Sequence, residues 1–65
     1  MFNVIYEKRY DDGSIHDHPV ISYRDEAAAE WAAFGLVGTQ LPNGVVVTAA
    51  RIYDAAGTLL NEFEA

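Results

Sequence analysis

The chain contains no cysteine, which excludes disulfides, thiolate metal sites and thiol chemistry and accords with a reducing compartment. Basic residues are scarce: four Lys and Arg stand against ten Asp and Glu, for a formal charge of -6. That balance repels a phosphate backbone and attracts basic surfaces, so direct nucleic-acid binding is not expected. No run approaches the roughly 18 apolar residues of a membrane helix, and no charged leader with an apolar stretch opens the chain. The expectation is a soluble, cytoplasmic protein. Sixty-five residues suit one domain, and ordering them costs about 1.5 kcal/mol each, which leaves little for an elaborate buried site.

What the chain does have is hydrophobic residues in half its positions and eight aromatics, enough for a small core. Phe2, Val4, Tyr6 and Tyr10 alternate with Asn3, Glu7 and Arg9, the period of a half-buried strand. Asp12-Gly13 suits a two-residue turn with positive φ at both positions. This turn pairs Tyr10 with Ile15, Lys8 with Asp17, Tyr6 with Pro19, Val4 with Ile21 and Phe2 with Tyr23. It gathers the apolar residues on one face and Asn3, Glu7, Arg9, His16, His18 and Ser22 on the other. Pro19 has no N–H for a ladder, which places the second strand at an edge or in a bulge, an edge being the better fit.

Tyr23 to Leu36 (YRDEAAAEWAAFGL) reads as a helix entered at Ser22 or Tyr23, with Asp25 and Glu26 in its first turn. Ala27, Ala28, Trp31 and Phe34 form its expected buried face, Gly35 its left-handed stop, and Leu36 a contact folded back onto Trp31. Residues 37–44 read as a loop. Residues 45–54 and 58–64 read as a second hairpin, closed by a type I turn with Gly57 in the left-handed region. With Asp54 opposite Thr58, both faces of this hairpin are partly apolar. Choosing Tyr53, Leu59 and Phe63 as core avoids burying Glu62 and Glu64. Val46, Ile52 and Leu60 then join Ile5 and Val20 in an exposed apolar strip on the helix-free side, a candidate self-association surface.

The fold expected is therefore α+β, a ββαββ chain in one domain: hairpin 2–23, helix 23–36, loop 37–44, hairpin 45–64, giving a four-stranded antiparallel sheet with one helix across one face.

Residues that could carry chemistry are few. His16 and His18 lie two apart on one strand face with Glu7 expected opposite His18, a donor set that zinc accepts. Arg9 would face His16, and no further ligand is specified, so ordinary surface histidines are the simpler account and no cofactor is expected. A small sheet with one helix offers little concavity for acid-base catalysis, so enzymatic activity is not expected. Gly35-Leu36-Val37-Gly38-Thr39 follows a helix where a phosphate loop would precede one, and it lacks the lysine. The carboxylates Asp11, Asp12, Asp25, Glu26, Glu30, Glu62 and Glu64 are candidate contacts for a basic partner.

In general build the chain resembles small acidic phage-encoded inhibitors, anti-CRISPR proteins among them, some of which cover nucleic-acid sites of host complexes with phosphate-like negative charge. The resemblance covers size, charge and element content. It implies a non-enzymatic module docking on a basic, nucleic-acid-handling partner in a bacterial cytoplasm. A structural domain acting through homodimerisation of its open sheet face is the alternative, and a metal-dependent domain using His16, His18 and Glu7 is the third.

Overall fold

A computed structural model describes residues Met1–Ala65. Its centre is an antiparallel pair, β1 (Phe2–Arg9) and β4 (Val46–Tyr53), with β5 (Leu59–Glu64) on the far side of β4. Two short strands, β2 (Ile15–Asp17) and β3 (Ile21–Tyr23), lie end to end along the other side of β1. The helix α1 (Glu26–Leu36) packs on one face. The architecture is thus the expected α+β one, with five antiparallel strands where four were expected. The extra strand arises at Pro19. Val4 faces Ile21 and Phe2 faces Tyr23 as expected, but nearer the turn Lys8 faces His16 and Glu7 faces Asp17, one residue out of the expected register. Three residues, His18 to Val20, stand against Ile5 and Tyr6, and the strand bulges where proline has no N–H to give.

The turn sets that slip. Tyr10 N–H donates to Ser14 O at 2.9 Å and Gly13 N–H to Tyr10 O at 2.9 Å, and Gly13 alone has positive φ, at 85°. The connection is a three-residue loop, not the expected two-residue one, because Asp12 keeps an ordinary φ and caps the turn from its side chain instead. Asp12 Oδ1 accepts from Ser14 N–H at 2.9 Å and from Ser14 Oγ–H at 2.6 Å. The second hairpin closes as expected, with Asp54 N–H to Thr58 O, Gly57 N–H to Asp54 O, and Gly57 at φ 87°.

The helix starts later than its sequence suggests and ends at Leu36 as expected, though not through a stop at Gly35. Asp25 is the N-cap, its Oδ1 accepting from Ala27 N–H at 3.1 Å, while Ser22 donates to Asn3 Oδ1 across the sheet. Gly35 is an ordinary helical residue, and the left-handed position falls on Gly38 (φ 86°). More consequential is the face it buries. Ala29 and Ala33 are fully buried, whereas Trp31 is 80% and Phe34 66% exposed, the reverse of the expected packing. Val4, Tyr6, Val47 and Ile52 stand up from the sheet and fill the core themselves, so the helix fits closest through its smallest residues.

On β4 and β5 the buried face matches the expected one only in part. Phe63 packs on the core as expected, but Tyr53 lies on the open face and Ile52 is fully buried in the core. Two irregularities explain this. One sits at Thr48, between the pairs Glu7–Ala49 and Lys8–Val47, and one at Leu60, between Ile52–Asn61 and Tyr53–Leu59. Each inserts one residue and flips the alternation, so Val47, Ala50 and Ile52 all face the helix while Glu62 and Glu64 stay outside.

Tyr6 is 2% exposed and its hydroxyl makes no hydrogen bond. Burial pushes its phenol well above the ordinary value, with a smaller contribution from neighbouring Tyr23. Tyr6→Phe is therefore expected to raise stability by about 1 kcal/mol, since it removes a buried polar group without a partner. Because the folded phenol binds its proton more tightly than the unfolded one, stability is unaffected below pH ~10 and falls above it, by on the order of 1 kcal/mol at pH 11. Urea melts at pH 7 and 11 measure both effects, and the phenylalanine variant should lose this component of the alkaline decline.

Candidate functional site

The two histidines and Glu7 do not meet. His16 pairs with Lys8, whose other partner is the core residue Val47, so His16 lies on the helix side of the sheet. It stacks edge-on against Tyr10, with ring centroids 5.3 Å apart. His18 also lies on the helix side, at a small apolar recess of about 130 Å³ with Tyr6, Lys8, Leu36 and Leu41, and its Nδ1 is 2.9 Å from Pro19 O. Glu7 is on the opposite face, accepting from Thr48 Oγ1 at 2.9 Å. The register slip at the first turn separates them, and no three His, Asp or Glu side chains converge as a metal site.

Glu7 belongs to a charged cluster on the open face, built around Arg51. Arg51 reaches Asp17 at 3.1 Å, Glu7 at 3.5 Å and Glu62 at 3.8 Å. Partial burial works against its charge, but Asp17, Glu7 and Tyr53 outweigh it and raise its pKa above the usual guanidinium value. One cation held among three carboxylates leaves this face acidic. The expected self-association strip is not assembled there. Ile52 is in the core, Ile5 and Val46 are half-buried among polar neighbours, and Val20 (54% exposed) and Leu60 (41%) lie on the β2–β3 side and on β5, separated by the two central strands.

The candidate carboxylates fall into three places. Asp11 and Asp12 are in the first turn, where the Ser14 hydrogen bonds lower the Asp12 pKa. The stabilisation this turn draws from the carboxylate is present above the ordinary Asp pKa and is lost as pH falls through the lowered one. Asp25 is spent on capping and Glu26 is exposed beside it. Glu30, Glu62 and Glu64 lie on the helix and on β5.

Of these, Glu30 borders a large exposed apolar surface, while Glu62 and Glu64 point to the opposite face of the sheet. Trp31 and Phe34 project from the solvent side of α1, and Phe34 meets Phe63 of β5 edge-to-face with centroids 5.9 Å apart. Ala27, Glu30, Trp31, Phe34 and Phe63 line an open depression of about 310 Å³. No basic side chain is among them. Sequence reasoning missed this surface because it assigned Trp31 and Phe34 to the core. The available signal was the Ala29–Ala33 pair, which offers a second helical stripe, and a small one.

No protein-family model matches the chain, and neither a curated protein nor a solved structure does. No helix is long and apolar enough to cross a membrane.

Proposed function

We propose that the protein is a non-enzymatic binding module that docks a basic protein partner through Trp31, Phe34 and Phe63 and the carboxylates around them. The observation that carries this is the exposure of Trp31 and Phe34 in so small a chain, beside Glu30 and without a lysine or arginine in the depression. A fully buried aromatic of this size contributes about 2 kcal/mol, so leaving two in water forgoes stabilisation that a partner's surface would recover. Acidic surroundings steer a basic partner and reject an acidic one.

Selection from a random peptide display library tests this. Enriched sequences should combine Lys or Arg with large apolar residues, and Trp31→Ala with Phe34→Ala should abolish the enrichment. Neutral or acidic winners, or none, would remove the reading. In its inhibitor-type form, with carboxylates standing where phosphates would bind, the partner's nucleic acid should compete with this protein, and both should weaken as salt rises.

A further inference from the structure

The sheet has two edges, and they are not equivalent. The β2–β3 edge is broken into three-residue pieces by the bulge at His18 to Val20, and Pro19 has no donor to offer, so it is poorly suited to receive another strand. The β5 edge carries no proline and no lysine, and from Asn61 to Glu64 it runs in continuous register with β4. Ala65 N–H donates to Thr48 O at 3.0 Å. By the alternation of an antiparallel ladder, Asn61 and Phe63 then turn their backbone groups toward β4, and Glu62 and Glu64 turn theirs outward. The Glu62 N–H is held at 2.9 Å by the Asn61 side chain, Oδ1 accepting, a local cover on an otherwise open edge.

We infer that this edge is where the partner binds, by adding a β-strand whose side chains alternate between apolar and basic. The inference rests on the docking function proposed above and specifies its mode. A strand laid along β5 has its helix-side residues beside Phe63, within reach of Phe34 and Trp31, and its open-side residues beside Glu62 and Glu64. The first set must be apolar. The second faces carboxylates and the acidic Arg51 cluster, so it must be basic. A second copy of this chain fits worse. Two-fold antiparallel pairing of β5 with itself, with both helices on one side, brings Glu62 opposite Glu62 or Glu64 of the other copy, a like-charge pairing that destabilises a sheet.

Trp31 is the only tryptophan and is exposed, so its fluorescence reports occupancy directly. The probes are a capped peptide alternating Lys and Val, a block isomer with all Lys preceding all Val, and the alternating peptide N-methylated on every second residue to remove its edge-facing donors. The alternating peptide should give a saturable blue shift, and the other two should bind at least tenfold more weakly. Asn61→Ala, which frees the Glu62 N–H, should tighten the alternating peptide about fivefold without helping the N-methylated one. Equal binding of all three peptides would overturn strand addition while leaving the basic-partner reading intact. No response from any basic peptide would remove both. A concentration-dependent blue shift without peptide, with a dimer in sedimentation equilibrium, would assign the edge to a second copy and overturn the proposal.

Discussion

Ile52→Ala is expected to remove about 3 kcal/mol of stability, enough to leave much of the chain unfolded at room temperature. Ile52 has no exposed surface and packs in the cluster of Val4, Tyr6, Val47 and Ala50 under Ala29 and Ala33. Truncating it deletes buried methylene groups and opens a cavity between a sheet and a helix that is already as close as alanine allows. Stability for a domain of this size is of the same order as the loss. Trp31→Ala is expected to change stability by no more than about 0.5 kcal/mol, because that side chain is mostly in water before and after unfolding. Urea melts of the two variants make the comparison. If Trp31→Ala were the more damaging, the helix would bury its aromatic stripe and the exposed surface proposed for docking would not exist.

That contrast marks how far the sequence carries. Alternation identified the strands, and the alanine-rich segment identified the helix, because both signals are local. The helix was hard to orient because alanine or a larger apolar residue occupies every position of Glu26–Leu36 except Glu26, Glu30 and Gly35, so several faces compete. The larger residues favour one stripe by transfer energy, yet the side chains standing on the sheet leave room only for the other. β4 was misjudged for a different reason. The bulges at Thr48 in β4 and at Leu60 in β5 each shift the period of their own strand by one, and a bulge leaves no composition signal of its own. The aromatic depression was invisible for the first reason alone: Phe63 faces inward as expected, and only Trp31 and Phe34 turn the other way.

The turns have a similar logic, and a third turn lies within residues 37–44, a loop whose sequence carries turn chemistry. Leu41 N–H donates to Val45 O at 2.7 Å, Gly44 N–H to Leu41 O at 3.1 Å, and Gly44 has φ 76°. This repeats the pattern of the turns ending at Gly13 and Gly57. Val47 N–H to Thr39 O and Gly38 N–H to Val47 O extend it into a short ribbon that leads the chain from the helix into β4. The signal was present, since Pro42-Asn43-Gly44 supplies turn chemistry just as Asp11-Asp12-Gly13 does, but the short, uncharged flank before it gives little strand periodicity.

Alanine at Gly13 and at Gly57 is expected to cost about 1 kcal/mol each. The left-handed backbone opposes a Cβ at both positions, and nothing lies within 4 Å of where that Cβ would go. Gly44→Ala should cost about 2 kcal/mol. Its Cβ would stand on the Asp11 carboxylate, where the first and third turns touch, so the strain adds to displacement of that side chain. Asp11 is exposed and can swing away once shortened. Asp11→Ala should therefore recover the excess in Gly44→Ala, about 1 kcal/mol, and recover nothing in Gly57→Ala. Thermal melts of the double-mutant cycle read this coupling, and strict additivity would mean that the two turns are not in contact in solution. The contact matters for the proposed surface because the ribbon ending at Gly44 leads directly into β4, the strand that holds β5 and its edge in register.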